Sequence, residues 1–111
     1  MVPEVLSEPC DCNEISYHQD YNIFYRSSPE QPLDGTCQAL YADGSKKEER
    51  NYRNGKMEGS YKMWHANGTL GMEKNFVNNK QEGESREWDE TGKLTHAGLY
   101  KDGKFVRKLE E

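Results

Sequence analysis

Cys10, Cys12, His18 and Cys37 are the residues of this chain whose types best suit a chemical site. Three thiols and an imidazole are in principle the donor set of a zinc centre, whose tetrahedral closure needs four soft or borderline ligands. The spacing matches no standard finger, and the competing chemistry is oxidation. Pairing of Cys37 with Cys10 or Cys12 would tie the N-terminal segment to the rest of the chain and leave one odd thiol. We take that pairing as the candidate disulfide and expect no metal and no cofactor.

Other polar groups give weaker signals. His65 and His96 fall in different strand-like segments, with no Ser or Cys nucleophile at a recognisable elbow beside them, so they read as sheet-surface histidines. Glu48-Glu49, Glu82-x-Glu84 and Glu87-x-x-Glu90 are paired carboxylates, but glycoside-type chemistry needs them facing each other across a cleft. Gly55-Lys56, Gly92-Lys93 and Gly103-Lys104 lack the strand-loop-helix setting of a phosphate loop. No catalytic residue is assigned, and we expect a protein that is not an enzyme. Trp64 and Trp88, sharing a face with Lys62 and Arg86, are the better functional candidates, because large aromatics beside Arg anchor protein interfaces.

These residues sit on a sequence with a 24-residue period that runs from Leu40 nearly to the C-terminus. Trp64 and Trp88 are one period apart, as are Tyr52, Phe76 and Tyr100; Gly59 and Gly83, Gly68 and Gly92 repeat with the same step. A period of this size marks a repeat architecture in which each unit is stabilised by its neighbours. Asp43-Gly44, Asn54-Gly55, Asn67-Gly68, Thr91-Gly92 and Asp102-Gly103 read as two-residue hairpin loops of the primed type, with Asn78-Asn79 in the same role. No segment carries a sustained helical apolar period, so essentially no helix is expected.

A two-residue loop at Asn67-Gly68 would set Trp64 opposite Gly71 and His65 opposite Leu70. Tyr61, Met63, Leu70, Met72 and Phe76 would then share one face with His65 and Lys74, and Trp64 would cover Gly71 on the other with Lys62 and Glu73. An even period brings Trp88 out beside Trp64. Both faces of the sheet would carry apolar groups with no second layer evident, which predicts self-association.

All four prolines precede Gly35 and all ten glycines lie from Gly35 onward. We therefore divide the chain into an acidic N-terminal arm with Cys10 and Cys12 (1–24), a repeat domain (25–106; units about 25–51, 52–75 and 76–99, half-unit 100–106) and a charged tail (107–111). Tyr21 to Arg26, rich in strand formers, is the strand expected before the repeats. Residues 1–34 hold seven acidic groups against one basic, and residues 35–111 hold thirteen against fourteen. Neither half has the cationic field that nucleic acid or anionic lipid binding requires, so a protein partner is expected and nucleic acid and membrane lipid are not. The first residues lack the basic and apolar regions of an export signal. A cytoplasmic setting is expected if Met1 is the native start, and an exported or periplasmic one if a signal has been removed.

Tyr52-Arg-Asn-Gly-Lys-Met-Glu-Gly59, Phe76-Val-Asn-Asn-Lys-Gln-Glu-Gly83 and the truncated Tyr100-Lys-Asp-Gly-Lys-Phe105 resemble MORN repeats, and more closely the bacterial variant in YwqK-type antitoxin proteins. The resemblance covers residues 40–104 well and 25–39 weakly. It implies an all-β, elongated, single-layer antiparallel meander of hairpins that acts by contact with another macromolecule, and not as an enzyme. Some MORN proteins associate with phospholipids through basic surfaces, which this chain lacks. The antitoxin likeness implies a protein partner neutralised by binding, and the alternative is a structural role in the bacterial cell envelope with the N-terminal arm as a tether.

Overall fold

The computed structural model describes residues 4–5 and 10–109. The N-terminal segment supplies β1 (Glu4–Val5), β2 (Cys10–Asp11), a 3₁₀ turn at Cys12–Glu14, and a hairpin of β3 (Ser16–His18) and β4 (Ile23–Tyr25). The repeats supply β5 (Leu33–Leu40), β6 (Lys46–Arg53), β7 (Lys56–Trp64), β8 (Leu70–Val77), the short β9 (Lys80–Gln81), β10 (Gly83–Trp88), β11 (Leu94–Lys101) and β12 (Lys104–Lys108). They form an antiparallel meander in the order β5-β6-β7-β8-β10-β11-β12, the hairpin array that the period predicts. Pairing of β1 and β2 onto β5 is parallel and closes that edge.

Two kinds of turn alternate along the ribbon. At Asn54-Gly55, Asn78-Asn79 and Asp102-Gly103 both loop residues have positive φ, between 51° and 81°, as two-residue primed turns demand. The other three turns differ from the expectation of primed loops. At Gly44, Gly68 and Gly92 only the glycine is left-handed in φ (89° to 90°), and its N–H donates to the carbonyl three residues earlier, Tyr41, His65 and Asp89. The pairs Tyr41–Ser45, His65–Thr69 and Asp89–Lys93 therefore close three-residue loops with a bulge glycine. In each, a side-chain oxygen of Asp43, Asn67 or Asp89 accepts a backbone N–H two residues on, which holds the loop shut.

The extra loop residue moves the register beside it. Met63 faces Met72 and Lys62 faces Glu73, as expected, but a slip between Met63 and Trp64 sets Trp64 opposite Leu70, where Gly71 was expected. The ring over Gly71 is His65: an added Cβ there would lie 2.8 Å from His65 Nε2.

Period-spaced hydrogen bonds stitch each unit to the next along both turn rows. The N–H groups of Gly55, Asn79 and Gly103 donate to the carbonyls of Leu33, Met57 and Gln81 at 2.7–3.0 Å. Carboxylates of Asp34, Glu58 and Glu82 accept from the N–H groups of Asn54, Asn78 and Asp102. On the opposite row the Tyr41 hydroxyl donates to Trp64 O (2.6 Å), and His65 Nε2, 2.8 Å from Trp88 O, must carry the proton.

One face of the first units is covered, a layer the sequence did not suggest. Cys10, Cys12, Leu33, Cys37, Ala39, Tyr52 and Met57 form the buried cluster, with Ile15, Phe24, Tyr61 and Phe76 packed against it. The cover is the segment expected to be an arm: the disulfide joins Cys10 to Cys37, directly opposed at 4.3 Å between Cα atoms, and Cys12 remains a buried thiol. The hairpin β3-β4 crosses the proposed boundary at residue 24, Tyr21 and Asn22 belong to its turn, and β12 takes in residues 107 and 108 assigned to the tail. The molecule measures 43 × 37 × 19 Å, its thickness close to two layers at about 10 Å each.

Candidate protein interface

The strand register gathers the predicted site. Gln38, Glu49, Lys62, Glu73, Arg86 and Ala97 are successive cross-strand partners, so they form one row across six strands. Four neighbouring members alternate in sign, Glu49, Lys62, Glu73 and Arg86. Lys62 Nζ lies 3.6 Å from Glu73, and Arg86 pairs with Glu84 at 3.0 Å. The hydrogen bond between Arg86 and Glu84, and then their charges, raise the guanidinium pKa and lower the carboxyl pKa. Such exposed pairs are readily exchanged for a partner's charges.

Trp64 and Trp88 are half-buried at corresponding ends of β7 and β10. Each is followed by one of the three-residue loops, and each has its carbonyl tied by the preceding unit, from Tyr41 or His65. The Lys46 ammonium stands 5.5 Å from the centre of the Trp64 ring and also reaches Glu49 at 3.1 Å. Aromatic edges, the Lys46 cation and a row of alternating charge thus share one face.

The opposite face centres on the row Cys37, Arg50, Tyr61 and Lys74. Arg50 contacts Glu48 at 2.6 Å, the Tyr52 hydroxyl at 3.5 Å and the Tyr61 ring at 5.2 Å. Burial works against its charge, but the tyrosines and Glu48 outweigh burial and raise its pKa. Burial also raises the pKa of Tyr52 and Tyr61 and, opposed by Arg50 but aided by Glu48, pushes the Cys12 thiol up to about 12. A thiol held protonated is a poor nucleophile and a poor metal ligand. Cys10 and Cys37 are consumed by the disulfide, and His18 stacks on Tyr21 with ring centres 4.3 Å apart. Among the described residues no group of three or more His, Cys, Asp or Glu is placed to hold a metal.

The remaining repeat positions support the framework. Tyr52 is buried, Phe76 packs on Tyr61 at 6.0 Å between ring centres, and Tyr100 meets Phe105 edge-on at 5.5 Å. Gly59 and Gly83 have φ of 95° and 93°; beside them Asn51 and Asn75 side chains donate to the carbonyls of Ser60 and Glu84. Sequence reading took His65 for a sheet-surface histidine and Glu82 for one of a carboxylate pair and did not connect either to its series, Tyr41 with His65 and Asp34 with Glu58 and Glu82, although both series follow the same step of 24 residues. It also passed over Asn22, whose carbonyl accepts from Asn79 Nδ2 at 3.0 Å across 57 residues.

The family model described as MORN repeat variant matches residues 33–54, 57–78 and 81–102. Each match ends within a primed turn, at 54, 78 or 102, so its second and third units begin five residues after, and all three end three residues after, those drawn from the aromatic positions. No curated protein and no solved structure matches the chain.

Proposed function

Because the chain belongs to the family of MORN repeat variants, whose members are commonly protein- or membrane-binding modules, we propose that it is a non-enzymatic module that binds a protein partner through the face of Trp64, Trp88, Lys62 and Arg86. The observation that carries this reading is the alternating row Glu49, Lys62, Glu73 and Arg86 lying beside two half-buried tryptophans one repeat apart. Alternating charge favours a polar protein surface over a polyanion, and the balance of thirteen acidic to fourteen basic residues in 35–111 favours protein over anionic lipid or nucleic acid. In its finer form, following the likeness to the bacterial YwqK-type variant, the module is antitoxin-like or immunity-like and its partner is neutralised by being bound. Quantitative affinity capture from the source cells, with the intact chain and a Trp64→Ser/Trp88→Ser variant, tests the face. One retained protein should fall by at least about tenfold while the far-ultraviolet circular dichroism is kept; equal retention removes this face.

The Cys10–Cys37 disulfide favours a second reading, a structural protein of the bacterial envelope anchored through its N-terminal segment, because such bonds persist in oxidising compartments. Alkylation of free thiols during cell lysis, followed by peptide mass analysis, separates the two settings. An intact disulfide supports the envelope, whereas two labelled cysteines at Cys10 and Cys37 support a reducing cytoplasm.

A further inference from the structure

We propose that the turn ridge around Tyr100 and Gly103 is a docking site for an extended, aromatic-bearing segment of a partner protein, flanked by acidic residues, and that the chain's own β4 displays how such a segment binds. This site lies on the face opposite Trp64 and Trp88, so it stands or falls independently of that surface.

β4 does not join the meander. Its outer edge runs across the primed turns: the Phe24 N–H donates to Gly55 O at 2.6 Å, and Asn22 O accepts from Asn79 Nδ2 at 3.0 Å. The Phe24 ring lies 5.3 Å from Tyr52, and Ile23 seals the Gly55 turn so closely that an added Cβ on Gly55 would lie 2.8 Å from Ile23 Cβ. One strand edge thus uses three features of a repeat: the aromatic at Tyr52, the turn carbonyl at Gly55, and the bare α-carbon there.

The period reproduces these features at Tyr100 and Gly103 without the cover. Gly103 has φ of 81° against 78° at Gly55, and its N–H donates to Gln81 O as that of Gly55 does to Leu33 O. Yet a Cβ on Gly103 would meet only Lys80 Cβ, at 3.9 Å. Tyr100 is half-buried beside Phe105, which is 53% exposed and also touches His96. The intervening repeat, Phe76 and Asn79, is reached by the hairpin tip through Asn22, so the open ridge continues directly from an interface already made.

Charge selects the occupant. Lys80, Lys101 and Lys104 are exposed around the open turn and outnumber its acids, Asp102 and Glu82, the latter already engaged by the Asp102 N–H, whereas the native cover carries Asp20 in its own turn and has Glu14 and Glu30 on either side. A second copy presenting its own hairpin would satisfy the same chemistry only by giving up its intramolecular contact, which makes a separate protein the occupant.

The test uses the full chain, isotope-labelled, titrated with a synthetic peptide of residues 13–30, which keeps Glu14, Asp20 and Glu30 around the aromatic strand. Saturable amide shifts are expected at Tyr100 to Phe105, and binding should weaken at least about tenfold when the peptide carries Phe24→Ala or the protein carries Tyr100→Ala. Lys80→Glu, at an exposed side chain, should weaken it as well and reduce its salt dependence while the circular dichroism is kept. Absence of saturable shifts at about 1 mM peptide overturns the proposal. Shifts at Tyr52 to Gly55 overturn it too, since the peptide would then be exchanging with the chain's own hairpin.

Discussion

Gly55 and Gly103 occupy the same place in two primed turns and differ only in what lies above them, which separates the cost of conformation from the cost of cover. Alanine at either position must hold φ near 80°, where a Cβ costs about 1–2 kcal/mol, partly offset by about 0.4–1 kcal/mol from a stiffer unfolded chain. Gly103→Ala meets nothing closer than 3.9 Å, so the net loss there is about 1 kcal/mol. Gly55→Ala adds a Cβ at 2.8 Å from Ile23 and 2.9 Å from Pro32, both at backbone-proximal atoms that cannot swing away. Overpacking of that kind adds about 1–3 kcal/mol, for a total of about 2–4 kcal/mol. In urea, with a slope of about 1.5 kcal/mol/M, the midpoint should fall by about 0.7 M for Gly103→Ala and by about 1.3–2.7 M for Gly55→Ala. Coincidence of fluorescence and circular dichroism transitions establishes that each is one cooperative step. Equal midpoint shifts would refute the seating of β4 on the first turn, and with it the template for the ridge at Gly103.

Two further outcomes rest on the geometry. Cys12 should resist iodoacetamide at pH 8 in the folded protein and react on unfolding; its protonated form is favoured by folding, so the stability it contributes is full below its ordinary pKa of 9.0 and is lost as pH rises toward about 12. Rapid labelling without unfolding would contradict its burial. Gly68→Val should lower thermal stability more than Gly98→Val, because Gly68 requires φ of 90°, whereas the Cβ at Gly98 chiefly displaces the half-exposed Phe105 ring; comparable melting temperatures would contradict the turn geometry.

The hairpin array was readable because its determinants are local and repeat: a glycine or asparagine where the chain turns, an aromatic where it pairs. Turn class was less so, since Asp-Gly and Asn-Gly suit both loop types. The discriminating residue was Thr91, a β-branched side chain that would be strained at the positive φ a primed turn requires there. Its place before Gly92, read as a primed turn, instead signals the bulge-glycine loop, and by periodicity the same loop at Asn67-Gly68 and Asp43-Gly44. The cover was not readable. It rests on scattered residues, Cys12, Ile15, Ile23 and Phe24, with no periodicity, and on contacts as distant as Asn22 to Asn79. The choice between Cys10 and Cys12 likewise depended on the chain leaving β2 for a 3₁₀ turn at Cys12, which sets Cys10 squarely against Cys37.

Where the period fails is as informative as where it holds. The step that places Gly35, Gly59 and Gly83 arrives next at Arg107; the step through Asn51 and Asn75 arrives at Leu99; and the acids Asp34, Glu58 and Glu82 give way to Val106. Arg107 cannot adopt cheaply the positive φ of the glycines it replaces, and Leu99 cannot donate across the bulge as Asn51 and Asn75 do. β12 consequently pairs with β11 through a different slip, between Leu99 and Tyr100. It also carries Lys104, Arg107 and Lys108 along an exposed strand, which is how natural sheets discourage edge-to-edge pairing. The opposite edge is occupied by β1 and β2, the latter held by the disulfide. With one edge covered and the other charged and irregular, growth of the sheet by strand addition is disfavoured at both ends. A partner is directed to the faces and to the turn ridge, where side chains and turn carbonyls, rather than free strand edges, make the contacts.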